Sequence, residues 1–167
     1  RVLAYFFLLT YVVLLGITWD GIDFAWARSE GALTLGFAVA VWLTYGLIYL
    51  LPALLITGLV EKLVHRQREH GHKAVFYPLA VLSTGITTLF FYANAKLYTL
   101  YGMFINSFVI NLVSTPGGLE SLGASTASKL TFVAIAAAFL LLQALLLAAT
   151  LYAYRRFGEP NWIPRRF

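Results

Sequence analysis

Four stretches of this chain carry no Asp, Glu, Lys, Arg or His: Val2–Trp19, Leu33–Val60, Ala74–Ala95 and Leu130–Tyr154. Each approaches or exceeds the roughly 20 apolar residues that cross the hydrocarbon of a bilayer. No other feature constrains the fold as much. Backbone in lipid must satisfy its own hydrogen bonds, and a helix does this within one segment. Composition agrees: 60% of the residues are apolar and 11% charged, against about 25% charged in a soluble domain. So few charges would not cover a soluble surface. An ordinary soluble enzyme, a secreted disulfide-stapled domain and a disordered tail are therefore excluded. The absence of cysteine removes thiolate chemistry, Cys-based zinc sites and iron–sulfur ligation.

The expected fold class is all-α: residues 1–167 as a single polytopic membrane domain with four transmembrane helices and a short interfacial helix. The first stretch is the shortest and lies at the start of the chain. It ends in Thr18-Trp19-Asp20 rather than at a small-residue cleavage site, so it reads as a retained span and not a signal peptide. The second is longer than a span needs and contains Pro52, which predicts tilt or a kink near its end.

Charge placement sets an orientation. Arg1, Lys62, Arg66, Arg68, Lys73, Arg155, Arg156, Arg165 and Arg166 all fall on one side of the predicted spans. Only Arg28, Lys96 and Lys129 fall on the other. The positive-inside rule then puts both ends in the cytoplasm and the loops 20–32 and 96–129 outside. The basic residues thus act as topology determinants, and nucleic acid is not an expected partner.

The outer loop 96–129 is far longer than a helix connection requires, and loops of that length are usually functional or disordered. Leu97, Tyr98, Leu100, Tyr101, Phe104, Phe108 and Leu112 make it too apolar for disorder. On a helical wheel Phe104, Ile105, Phe108, Val109, Leu112 and Val113 fall on one half. Asn106, Ser107, Asn111 and Ser114 fall on the other, with Ile110 the exception. This predicts an interfacial helix over 103–114. Pro116 stops it, and Gly117-Gly118 supplies a turn. Ser125, Thr126 and Ser128 are candidate N-caps for the last span.

The run Tyr98 to Ser125, YTLYGMFINSFVINLVSTPGGLESLGAS, resembles the outer loop after the third span of membrane-bound sulfatase-like proteins. That family includes the lipoteichoic acid synthases. Asn106, then Thr115-Pro116-Gly117-Gly118, then Ser121, Gly123 and Ser125 carry the resemblance, which covers about a sixth of the chain. It implies five spans in a bacterial cytoplasmic membrane, followed by an extracytoplasmic hydrolase domain of the alkaline-phosphatase superfamily. In such a domain a Thr or Ser nucleophile and a divalent metal do the chemistry. The chain begins at Arg1 and ends at Phe167, before a fifth span, so the catalytic part is expected to lie outside it. No residue here matches a family nucleophile or metal ligand, and no cofactor is expected within the chain.

Other groups have plainer readings. Asp20 and Asp23 lack a third ligand in sequence and read as a polar cap where a helix leaves the membrane. His65, His70 and His72 share a basic loop whose cations would repel a metal. The spans contain no charged group, which argues against a pump or secondary transporter. Ser83, Thr84, Thr87, Thr88, Asn94 and Gln143 can bond between helices. Gly36, Ala40, Ala144 and Ala148 would allow close approach within the bundle.

The outer loop remains the place for function. Asn106, Asn111, Ser114, Thr115, Gly117, Gly118, Ser121 and Ser125 either meet a lipid headgroup, with the Gly-Gly amides shaping an anion-binding concavity, or form a self-satisfied cover for the bundle. Two functions follow. One is a membrane-anchoring, lipid-presenting domain of a sulfatase-like phosphoglycerol or phosphoethanolamine transferase. The other is a non-catalytic membrane subunit or lipid-sensing adaptor. Expected partners are membrane lipids, with partner transmembrane helices or the family's outer domain beside them.

Overall fold

The computed structural model describes residues 2–65, 72–118 and 125–157. These residues form helices and connections with no strand among them. In chain order the helices are α1 (Val2–Ile17), α2 (Phe24–Ser29), α3 (Ala32–His65), α4 (His72–Tyr101), α5 (Ser107–Ser114) and α6 (Thr126–Phe157). A single 3-10 turn, Trp19–Gly21, lies between α1 and α2.

Three of these helices are long and apolar enough to cross a membrane: α3, α4 and α6, over Ala32–Lys62, Val75–Tyr101 and Thr126–Arg156. This is the architecture of an integral membrane protein. α1 has 16 residues, about 24 Å at 1.5 Å per residue, shorter than the hydrocarbon core of about 30 Å. It packs against α6, α3 and α4 with Phe6, Thr10 and Leu14 fully buried.

The helices run past the limits of the uncharged stretches. α3 continues through Glu61 and Lys62 to His65, and α6 through Arg155 and Arg156. Lipid limits which residues are apolar, whereas Glu, Lys and Arg are good helix formers in water. Pro52 lies within α3 and Pro78 within α4, and neither ends its helix. α4 stops where Gly102 turns left-handed at φ +65° and donates its amide to the Tyr98 carbonyl at 2.8 Å, a helix ending that glycine permits at no steric cost.

The bundle is held by contacts suited to lipid, where the hydrophobic effect does not draw helices together and close packing must. Phe6, Leu14, Leu50, Ala80, Phe91 and Leu147 form its buried apolar centre. A methyl group at Gly46 would stand 2.9 Å from the Tyr11 ring, and one at Gly85 would stand 2.5 Å from Leu140 Cδ2. These glycines are the points of close approach of α3 to α1 and of α4 to α6. The small residues expected to serve there do not: Gly36, Ala40, Ala144 and Ala148 all face outward. Helical spacing identified a small-residue face but not the direction it points.

Candidate functional site

Two polar assemblies stand out, one through the middle of the bundle and one at the end carrying α2 and α5. In the first, the Thr10 hydroxyl of α1 donates to Gln143 Oε1 of α6 at 2.8 Å. Gln143 Nε2 in turn donates to the Thr88 hydroxyl of α4 at 3.1 Å. Thr88 passes its own hydrogen to the Thr84 carbonyl at 2.7 Å. Thr10, Thr84, Thr88 and Gln143 have no solvent-exposed surface. None of Thr10, Gln143, Thr88 and Thr84 is ionisable, so the arrangement joins three helices and gives a proton no titratable site.

In the second, Asn94 is the hub. Its Nδ2 donates to the Tyr49 hydroxyl of α3 at 2.9 Å, and its Oδ1 accepts from the Ile105 amide at 2.8 Å. One buried side chain therefore fixes α3 against α4 and fastens the segment leading into α5. Tyr49 also lies against Phe91, with ring centroids 4.0 Å apart. Nearby in the chain, Tyr98 and Phe104 stack at 4.7 Å with 12° between their planes. At the same end Trp19, Phe24 and Trp42 form a cluster with centroids 5.0–5.8 Å apart. Trp42 donates its indole hydrogen to the Leu15 carbonyl at 3.0 Å. Aromatic side chains with a polar tip favour the membrane–water boundary.

A helix does form within 103–114, but it is shorter than expected. α5 begins at Ser107, not at residue 103, because Asn106 is extended (φ −134°, ψ −179°) and its side chain accepts from the Val109 amide at 3.1 Å. An N-cap marks the start of a helix, and the Asn94 bond to Ile105 holds the preceding residues in another course. None of the residues of α5 is buried. Ile105, Val109 and Leu112 are half-buried, while Phe108, Ile110 and Val113 are exposed.

The other expected site residues occupy distinct places. Asn111 and Ser114 are exposed on α5. The Thr115 hydroxyl turns back onto the Asn111 carbonyl at 2.8 Å. Gly117 is left-handed at φ +79°, and Gly118 donates its amide to the Thr115 carbonyl at 2.9 Å. A Cβ on Gly118 would collide with the Leu112 carbonyl oxygen, so the turn folds tightly under the end of α5. Ser125 caps α6: its hydroxyl accepts from the Ser128 amide at 3.2 Å and lies 3.1 Å from the Ser128 hydroxyl. Ser121 lies outside the described residues. The structure thus brings Asn111, Ser114, Thr115, Gly117 and Gly118 together at the end of α5. Asn106 stands at the opposite end, and Ser125 serves α6.

Elsewhere Asp23 is the N-cap of the short helix α2, its side chain accepting from the Trp26 amide at 2.8 Å. No cluster of three metal-ligating side chains occurs among the described residues. The side chains of His65, His70 and His72 lie outside them. Tyr49 escaped the sequence reading because its partner is 45 positions away; its only signal was a phenol inside an uncharged stretch. No family model, curated protein or solved structure matches the chain.

Proposed function

We propose that this chain is the membrane-anchoring, lipid-presenting domain of a sulfatase-like phosphoglycerol or phosphoethanolamine transferase in a bacterial cytoplasmic membrane. α1 would complete a four-span bundle with both chain ends cytoplasmic, and α5 would lie at the outer surface. One observation carries the lipid part of this reading: α5 is tied to the bundle at its entry by Asn94, yet buries none of its own residues. Its exposed Phe108, Ile110 and Val113 suit acyl chains at the boundary, and the polar groups at its end suit headgroups. The outer-loop sequence from Tyr98 to Ser125 supports the family. In this role the chain orients a lipid substrate and performs no chemical step itself.

The lipid part is tested by purifying the chain with its native lipids and quantifying the phospholipid it retains. Asn111→Ala with Ser114→Ala should lower retention several-fold and leave the helix content intact. Unchanged retention would sink it.

A second reading, a non-catalytic subunit or lipid-sensing adaptor, is favoured by the outward-facing Gly36 and Ala40 on α3, since small residues let a partner helix approach closely. The intact mass of the native polypeptide separates the two. A mass well above 18.6 kDa, accompanied by a metal-dependent hydrolase domain, supports the transferase. A mass near that value together with a copurifying membrane partner supports the adaptor.

A further inference from the structure

Asn94 stands between two partners of different kinds. Its Oδ1 accepts from the Ile105 amide at 2.8 Å, and its Nδ2 donates to the Tyr49 hydroxyl at 2.9 Å. A backbone N–H can only donate, so holding Ile105 requires the Asn94 oxygen on that side. A phenol hydroxyl can donate as well as accept. Tyr49 uses only its acceptor: its hydroxyl hydrogen meets no acceptor among the described residues.

A half-turn about the Cβ–Cγ bond of Asn94 exchanges its oxygen and nitrogen. The two groups are nearly equal in size, so the exchange needs no new space around a side chain that is only 6% exposed. This torsion is broad and two-fold in asparagine. After the exchange Tyr49 donates to Oδ1, its hydrogen is satisfied, and the tie between α3 and α4 survives with its direction reversed. On the other side the Nδ2 hydrogens face the Ile105 hydrogen, donor against donor, and that bond is lost. What it held is free to leave. α5 buries none of its residues, and Ile105, Val109 and Leu112 are no more than half-buried. Between α4 and Ile105 lies Gly102, left-handed at φ +65° with open space beside it, and glycine has the widest backbone freedom of any residue. The Tyr98–Phe104 stack also crosses this turn, but both rings are already more than half exposed.

We propose that Asn94 is a two-position latch for α5. In one position it grips both Ile105 and Tyr49; in the flipped position it grips Tyr49 alone, and α5 lifts from the bundle about Gly102. The first position makes two side-chain bonds and the second makes one. A difference of one hydrogen bond favours the latched form about three- to tenfold, which leaves the released form a standing minor population. The α3–α4 tie persists in both positions, so α5 is released without loosening the helices beneath it. This device goes beyond the lipid-presenting reading and does not rest on it, because it concerns how α5 is held and not what α5 meets.

The test uses the full chain in nanodiscs of phosphatidylethanolamine and phosphatidylglycerol. The chain has no cysteine, so Ala40→Cys with Ser107→Cys carries one spin label on α3 and one on α5, both at exposed positions. Pulsed electron spin resonance should give two distance populations, the smaller about a tenth to a third of the larger. O-methyltyrosine in place of Tyr49 still accepts from Nδ2 but has no hydrogen to give. It should shrink the smaller population about threefold and slow exchange of the Ile105 amide by a similar factor. Asn94→Asp at pH 8 offers one oxygen to each partner at once and should remove the smaller population. Exchange at Thr88 and Gln143 should be the same in all three proteins. A single population in the parent would overturn the latch. So would a smaller population that either variant leaves unchanged, since α5 would then fray without the flip. Release accompanied by faster exchange at Thr88 and Gln143 would overturn it too, because the whole bundle would be opening.

Discussion

Thr10 and Gln143 stand 133 positions apart in the chain, yet their side chains meet at 2.8 Å in the middle of the bundle, each without exposed surface. The Thr10 hydroxyl has one hydrogen and two acceptors in reach, Gln143 Oε1 and the Phe6 carbonyl at 3.0 Å. Removing Gln143 therefore leaves Thr10 with a local acceptor, and Thr88 still bonds the Thr84 carbonyl. The loss is confined to the bonds that join helices.

Gln143→Leu should consequently destabilise the bundle by about 1–2 kcal/mol, since interhelical hydrogen bonds in membranes average about 0.6 kcal/mol each. Thr88→Val should cost roughly half as much, and the two substitutions should not add, because they remove a shared bond. Reversible unfolding in mixed micelles measures all three variants. A more stable Gln143→Leu protein would mean that the buried polar chain is retained for something other than stability.

At Gly85 the close approach of α4 to α6 sets a steric limit. The nearest atom to an added Cβ is Leu140 Cδ2 at 2.5 Å, the end of a flexible side chain that is 37% exposed. Leu140 can swing aside for one methyl group, and alanine adds helix propensity, so Gly85→Ala should lie within about 1 kcal/mol of the parent. Gly85→Val overfills the contact and should cost about 1–3 kcal/mol. Adding Leu140→Ala should recover most of that loss in the same unfolding assay. A lack of recovery would show that the backbones, not the leucine, set the distance.

The long helices were legible because lipid imposes a coarse rule on α3, α4 and α6: nearly every residue must be apolar. The same uniformity hides how they pack. A helix that is apolar all round has no stripe to show which face meets a neighbour, so Gly36 and Gly85 look alike in sequence although one faces out and the other meets Leu140. The segment 96–129 was legible in part. Its amphipathic spacing marked α5, but its first turn was placed too early because nothing local shows that Asn94 captures the Ile105 amide from 11 residues away. α2 was missed at only six residues, although Asp23 before Phe24 is an ordinary cap signal.

Asn94 joins α3 and the segment before α5 to α4 through two side-chain bonds. Asn94→Leu should leave the half-buried Ile105 amide without an acceptor and free the Tyr49 ring from its restraint. The expected cost is about 1–3 kcal/mol, in the range for an unsatisfied buried group. Hydrogen exchange should localise it, with faster exchange at Ile105 and little change at Thr88 or Gln143. Asn94→Asp keeps the acceptor for Ile105 and loses the donor to Tyr49, so Ile105 should remain protected.

α5 is an eight-residue helix, and isolated helices this short are marginal in water. Its two ends are held differently. Asn106 caps the start through the Val109 amide. At the finish the left-handed Gly117 lets Gly118 fold back to the Thr115 carbonyl. Loss of a cap costs about 1 kcal/mol, so Asn106→Ala should raise amide exchange at Val109 and Ile110 about fivefold. Asn106→Asp, which retains an acceptor, should stay close to the parent. Gly118→Ala should act more strongly, because its Cβ meets the Leu112 carbonyl, a backbone atom that cannot move without opening the last turn. If Asn106→Ala leaves exchange unchanged in vesicles but raises it in detergent, the bilayer itself holds α5. The apolar residues Phe108, Ile110 and Val113 would then be its principal anchors.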